Sequence, residues 1–131
     1  MNKDNFATLE ACQRLIDAGI VLETDARWRF NNHSFEWILF ADDSTSIEIA
    51  VCYPAPSMAE VWRGLPPQIG DGYLELGKNE IEGATWACYV ENINDCHEHD
   101  EVYHGLQKNT NPTDALIDLY IWTVGQEGGS R

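Results

Sequence analysis

The sequence predicts a single α+β domain, in which an antiparallel sheet of about five strands packs against two main helices and one short helix. Three observations support this class: apolar runs with a period of two, helical stripes bounded by capping residues, and short polar links between strands. The predicted order is α-β-β-β-α-β-β-α. A length of 131 residues suits one domain, so we expect residues 1–131 to form a single unit.

The first helix is predicted over residues 8–18. Thr8 is a suitable N-cap, an apolar stripe follows it, and Gly19 stands where a left-handed residue commonly ends a helix. Three strands are predicted between residues 27 and 53, and the last of them alternates over 47–53. Their links are too short for parallel crossovers, so the pattern indicates an antiparallel meander.

A short second helix is predicted over residues 58–64. Ser57 and Glu60 have the spacing of a capping box, in which each side chain accepts a hydrogen bond from the backbone of the other. Two more strands, near 73–76 and 85–90, are joined by a polar link that contains glycine. This pattern predicts a hairpin.

The last helix is the clearest predicted element. Asn111 is a suitable N-cap, Pro112 suits the first helical position, and Asp114 favours the positive end of the helix dipole. Apolar residues cover most of the circumference, so we expect this helix to be buried against the sheet. The polar segment 92–110 before it is predicted to be a long loop, and residues 126–131 a loose tail.

The charge balance disfavours some partners. The chain has 22 acidic residues against 8 Lys and Arg, which gives a formal net charge of −14. Binding to phosphates depends on Lys and Arg, so direct binding to nucleic acid or to an anionic membrane is not expected. The simplest interpretation of the charge is solubility, and the alternatives are a basic protein partner or mimicry of nucleic acid.

The sequence also predicts where the protein resides. The beginning of the chain lacks an apolar signal segment, and no stretch approaches the length of a membrane span. The four cysteines are widely spaced, without a CxxC pair. We therefore expect a cytoplasmic protein with reduced thiols.

One cluster contains residue types that bind metals. Cys96, His97 and His99 are near neighbours, and His104 follows. These are zinc ligand types, alternation along an extended chain would place His97 and His99 on one side, and His104 could fold back. A structural zinc site usually has a second ligand pair, which is missing here, so a solvated acidic segment without cofactor is the simpler interpretation. The alternative is a metal-binding domain or a metal-dependent enzyme.

The sequence lacks the common catalytic and nucleotide-binding motifs. The sequence contains no G-x-S-x-G elbow, no P-loop and no dinucleotide fingerprint. Cys96 and His97 are neighbours in sequence, but adjacency in sequence does not provide the geometry of a catalytic triad. Carboxylate pairs carry little information in so acidic a chain. We predict a protein without catalytic residues.

Two kinds of residue are candidates for partner contacts. Trp28 and Trp62 lie in amphipathic segments close to arginines, and Trp and Arg are frequent at binding hot spots. The alternative is that these tryptophans close the edge of the core. The acids are densest in segment 95–101, which supplies four candidates for contact with a basic partner: Asp95, Glu98, Asp100 and Glu101.

The order of three segments resembles that of small uncharacterised phage and prophage proteins. Segment 8–24 resembles their first helix and acidic turn, 56–69 their middle helix ending at a Leu-Pro step, and 111–122 their final helix. The resemblance spans the chain, but its motifs are caps and core positions, so it implies no functional residue and no activity. It implies a phage or prophage origin and, with it, the cytoplasm of a bacterial host.

The preferred prediction is therefore a non-catalytic phage or prophage accessory protein that binds a macromolecular partner. Its sharpest form is an acidic inhibitor of a host defence protein, because DNA-mimic inhibitors and some anti-CRISPR proteins resemble this chain in charge and size. A phage structural or assembly protein is the other alternative.

Overall fold

The computed structural model describes residues 5–31, 33–41, 52–79, 83–95 and 98–129. Within these ranges it contains helices and antiparallel strands, so the predicted α+β class is confirmed. The elements in chain order are α1 (Leu9–Asp17), β1 (Ala26–Asn31), β2 (Glu36–Ala41), β3 (Cys52–Pro54), α2 (Met58–Gly64), β4 (Gln68–Ile69), β5 (Gly72–Lys78), β6 (Thr85–Asp95), β7 (Glu98–Asn109) and α3 (Pro112–Gly129).

The described strands form two sheets, whereas the sequence predicted one. In the first sheet, β1 lies between β2 and β3, and in the second the order is β4-β5-β6-β7. Pro54 and Pro56 lack the amide hydrogen that a ladder needs, and α2 follows them, so the first sheet ends there. Residues 47–51 of the predicted third strand lie outside the described ranges. One core cluster nevertheless joins residues of both sheets to all three of these helices.

The capping signals of the first two helices operate as predicted. The Thr8 hydroxyl accepts a hydrogen bond from the Ala11 amide at 3.2 Å, and α1 ends before Gly19, which has a φ of +77°. At α2, the Ser57 amide donates to the Glu60 carboxylate at 2.8 Å, and the Glu60 amide donates to the Ser57 hydroxyl at 3.2 Å. This reciprocal pair is a capping box.

The segment 92–110, predicted to be a long loop, consists largely of paired strand. β6 and β7 continue as an antiparallel hairpin out to the pair Asp95–Glu98, whereas β5 pairs with β6 no further than Tyr73–Val90. Beyond Val90 the described strands are therefore only two. A two-stranded extension has no core to cover, so its sequence need not alternate apolar and polar residues, and the strand pattern was hidden.

The helix α3 is the buried element that the sequence predicted. The Asn111 side-chain oxygen accepts hydrogen bonds from the amides of Thr113 at 2.9 Å and Asp114 at 3.2 Å, which makes it the N-cap. The fully buried apolar residues of α3 are Ala115, Leu116, Ile117 and Leu119. Among the described helices, α3 included, none is both long and apolar enough to cross a bilayer.

The helix α3 also continues beyond the end that was predicted. Residues 126–129, predicted to begin a loose tail, form its last turn, and 130–131 lie outside the described residues. Gly125 lies inside the helix and its φ is not positive, so it does not act as a left-handed cap. The prediction of a tail from residue 126 is therefore corrected.

Replacing Gly125 with alanine should raise the free energy of unfolding by about 0.5–1 kcal/mol, because alanine loses less backbone entropy than glycine inside a helix. A Cβ at this position meets nothing within 4 Å. Urea denaturation measures the change. Gly83→Ala is the control, since Gly83 has equal space but a φ of +70°, and it should lose stability. A loss at Gly125 as well would contradict the continuous helix.

Candidate docking surface on the four-stranded sheet

The two faces of the four-stranded sheet differ in what covers them. α3 packs on β6 and β7 at one face, where the ring of the buried Tyr89 stacks on Trp122 with centroids 6.3 Å apart. The helices α1 and α2 pack in turn against α3. Side chains alternate along a strand, so the neighbours of Tyr89 lie on the opposite face. We call that opposite face the open face; its members are Tyr73, Glu75, Gly77, Trp86, Cys88, Val90, Glu101, Tyr103, Leu106 and Lys108.

A row of aromatic and apolar side chains crosses the open face. Tyr73 of β5, Val90 of β6 and Tyr103 of β7 are cross-strand partners in register. Val90 is buried, whereas Tyr73 and Tyr103 are 58% and 51% exposed. Leu106, three residues after Tyr103 on β7, is also exposed. A contiguous exposed apolar patch of this kind is typical of an interaction site.

A glycine shapes the patch beside this row. Gly77 pairs with Trp86, and the Trp86 indole lies against the space that a Cβ on Gly77 would fill. The absence of a side chain at Gly77 therefore leaves room for the indole over the neighbouring strand. Next to it is an open hollow of about 240 Å³, lined by Asn79, Trp86, Tyr103, Leu106 and Lys108.

A β-bulge at Gly105 places the members of β7 on the open face. The register of β6 and β7 shifts by one residue between Ala87 and Tyr89, opposite Gly105, which has a φ of +69°. The extra residue resets the alternation, so Tyr103 and Leu106 share a face although they are three positions apart. Gly105 also contacts α3, since a Cβ there would lie 2.5 Å from the Trp122 indole.

Acidic side chains give the open face its electrostatic character. The Tyr103 hydroxyl donates a hydrogen bond to a Glu101 oxygen at 2.7 Å, and this bond raises the pKa of Tyr103. Burial raises the pKa of the Cys88 thiol to about 11, and the negative charges of Glu75 and Glu101 add to the effect. A thiol with this pKa is protonated at neutral pH and is a poor nucleophile.

The predicted acidic contacts lie together on the hairpin extension. We call residues 91–102 the ribbon, because the described part of this segment is paired only within itself. In the backbone register, Asp95 pairs with Glu98 at the end of the ribbon, Asp100 pairs with Ile93, and Glu101 pairs with Asn92. All four predicted acidic candidates are thus placed in one hairpin, which continues directly from the open face.

The two predicted tryptophan candidates lie elsewhere. Trp28 packs against the core, and its indole N–H donates to the Ala7 carbonyl oxygen at 2.9 Å, so the fold itself accounts for this side chain. Trp62 on α2 is 40% exposed. It lines a separate hollow of about 360 Å³ with Arg63, Leu65, Pro67 and Leu74. The structure therefore does not bring either tryptophan to the open face.

The predicted metal ligands are only partly placed. Cys96 and His97 lie outside the described residues, and His99 and His104 are five positions apart on the extended strand β7. Their Cα atoms are therefore roughly 17 Å apart, too far for a shared ion with ligand atoms about 2 Å from the metal. His104 instead lies 3.4 Å from a Glu91 oxygen. The prediction of a metal site then depends on Cys96, His97 and His99.

No grouping of three or more His, Cys, Asp or Glu residues suited to a metal occurs in the part of the chain that the structure describes. This chain likewise matches no protein-family model, no curated protein and no solved structure in the comparisons. The open face and the ribbon are therefore interpreted from their own residues.

Several exposed side chains were not predicted from the sequence. Tyr73, Tyr103 and Leu106 form the open face, and Phe35 is 78% exposed in the turn between β1 and β2 with a φ of +56°. The left-handed region is costly for a bulky residue. The alternation of Val102 and His104 with Tyr103 was the available signal for a strand in β7, but it was short and embedded in a polar segment.

Proposed function

We propose that this protein is a non-catalytic binding protein, and that a protein with a basic surface docks on the open face and the ribbon. The observation that carries the proposal is the continuity of an exposed aromatic patch with a strongly acidic hairpin. The ribbon contains five acidic residues and neither Lys nor Arg; the acids are Glu91, Asp95, Glu98, Asp100 and Glu101.

The two parts of this surface would contribute in different ways. The acidic ribbon would steer a basic partner and set its orientation, because complementary charge chiefly increases the association rate and the specificity. The half-exposed rings of Tyr73 and Tyr103 would provide the area that is desolvated in the complex, since tyrosines at the centre of an interface often carry much of the binding energy.

The charge also supports a protein partner over nucleic acid. A formal net charge of −14 repels phosphates, whereas it complements a groove that binds phosphates. We propose that the partner is a nucleic-acid-binding protein, and the resemblance to phage and prophage proteins favours a defence nuclease of the bacterial host. The ribbon would then occupy part of the groove in place of nucleic acid, in the cytoplasm of that host.

The proposal is tested by displacement of a labelled DNA duplex from purified host defence nucleases, followed by fluorescence anisotropy. We expect displacement that weakens at least tenfold between about 50 and about 300 mM NaCl, because salt screens charges beyond about a Debye length. Displacement that is insensitive to salt would contradict the electrostatic role. No displacement from any nuclease of the panel would contradict this choice of partner.

Variants locate the contact. Tyr103→Ala should weaken displacement about 5- to 100-fold, the range of a strong interface hot spot, and Glu101→Gln should weaken it less. The matched controls are Phe35→Ala, an exposed aromatic residue elsewhere, and Glu23→Gln, an exposed acid elsewhere. Equal effects of the site variants and their controls would place the contact away from the open face.

A further inference from the structure

The backbone along the outer edge of β7 is a second feature of this strand, besides the side chains that the strand contributes to the open face. β7 is the terminal strand of the four-stranded sheet, and within the described residues its ladder partner is β6. It extends over twelve residues, from Glu98 to Asn109. A terminal strand presents backbone amides and carbonyls along its outer side, which can pair with another extended chain.

The charges along β7 discriminate between possible occupants of this edge. Glu98, Asp100 and Glu101 lie in the N-terminal half of the strand. A second copy of this chain would bring its own net charge of −14 to this edge, and the repulsion between two such charges opposes pairing of like with like. A segment rich in Lys or Arg would instead meet opposite charges. The complementary occupant is therefore a basic extended segment.

The open-face positions of β7 specify a spacing in that segment. Glu101, Tyr103 and Leu106 share the open face, and Gly105 is the extra residue of the bulge. Leu106 follows Glu101 by five positions, but the two residues of the bulge together lie opposite a single residue of an antiparallel partner. The two residues of the partner that lie beside Leu106 and Glu101 are therefore four positions apart. The first position lies next to the hollow formed with Trp86, and the second lies next to a carboxylate.

We propose, on the basis of the proposed function, that the edge of β7 binds an extended basic segment of the partner as an added antiparallel strand. The segment carries an apolar side chain that enters the hollow between Trp86, Tyr103 and Leu106. Four residues later it carries a Lys or Arg that pairs with Glu101. Main-chain hydrogen bonds supply the affinity, and the two side chains supply the specificity.

The probe is a labelled peptide of about nine residues, long enough at about 3.4 Å per residue to span Glu101 to Lys108, with Leu and Arg four positions apart. Two further peptides carry N-methyl groups on alternate residues, one on the odd and one on the even amides. Their charge and composition are identical. In an added strand only one of the two sets of amides points toward β7, so one isomer should lose at least tenfold in affinity and the other should retain it.

The side-chain spacing is tested with a peptide in which Leu and Arg are three positions apart, which should bind at least fivefold more weakly. Glu101→Gln should weaken binding of the parent peptide, and Glu23→Gln should leave that binding unchanged. Equal binding of the two methylated isomers would overturn strand addition while leaving the proposed basic partner in place. No binding of the parent peptide would also overturn the inference, and the nuclease displacement experiment would decide the proposed function separately.

Discussion

Replacing Gly105 with alanine should lower the free energy of unfolding by about 2–5 kcal/mol, one of the two largest losses that we expect from a single substitution. Two costs add at this position. The φ of +69° lies in the left-handed region, which is unfavourable for alanine. The new Cβ would lie 2.5 Å from the Trp122 indole, so the strand or α3 would have to move.

Gly19→Ala separates these two costs. Gly19 has a φ of +77°, but a Cβ there meets nothing within 4 Å, so only the backbone cost of about 1–2 kcal/mol applies. The difference between the two variants in urea denaturation measures the contact between β7 and α3. Equal losses would show that α3 does not pack against the bulge as closely as the structure has it.

Replacing Asp114 with alanine should lower the free energy of unfolding by about 2–4 kcal/mol, because it removes the acceptor of two partly buried hydrogen bonds. The Thr8 amide donates to Asp114 at 2.9 Å, and the Thr8 hydroxyl donates to it at 2.7 Å. These bonds tie the beginning of α1 to the first turn of α3. Asp118→Ala is the control on the same helix.

The control removes a more exposed interaction. Asp118 forms an ion pair with Arg14 at 3.0 Å, and exposed pairs contribute about 0–1 kcal/mol. Urea denaturation of both variants at the same salt concentration gives the two free energies of unfolding to be compared. A loss at Asp118 equal to the loss at Asp114 would contradict the claim that the bonds to Thr8 hold the two helices together.

The ionisation of Asp114 adds a pH dependence with a definite sign. Burial raises its pKa above the ordinary value of 3.8, although the hydrogen bonds from Thr8 lower it. Its contribution to stability is therefore fully present below the unfolded pKa and is lost as the pH rises through the folded pKa. Asp114→Asn should accordingly gain stability relative to the unmodified protein as the pH rises from about 4 to about 7. A relative loss over this range would show that the bonds from Thr8 outweigh the burial.

The elements that the sequence predicted well depend on local signals. Thr8, the pair Ser57 and Glu60, and Asn111 each mark a helix start through hydrogen bonds within a few residues, and the structure contains those bonds. The buried stripe of α3 is equally local, because its apolar residues occupy one continuous segment. Such signals do not require knowledge of which strands pair.

The elements that the sequence missed depend on distant pairing. The bulge at Gly105 exists only relative to β6, and its glycine is explained by Trp122 of α3. The ribbon lacks a third described strand, so it carries no alternating pattern that would have distinguished it from a loop. The division into two sheets likewise depends on which strands find partners across α2.

The same distinction between local and distant signals explains which residues of the candidate site could be named from the sequence. The acids of 95–101 lie within seven positions of one another in the sequence, so their density was visible, and the structure places them in one hairpin. Tyr73 and Tyr103 come from different strands and meet only through the register of Val90, so their shared face could not be recognised. Trp28 and Trp62 look alike in sequence and differ only in their contacts.

The most direct test of the docking surface is a map of backbone amide chemical shifts during titration with the nuclease from which this protein displaces DNA or, failing that, with the basic peptide. We expect the changes to concentrate on β5, β6 and β7, around Tyr73, Val90 and Tyr103, and to continue into the ribbon. The opposite outcome would be changes centred on Trp62 and its hollow, or spread evenly over the protein. Either of these patterns would contradict the open face as the site of docking.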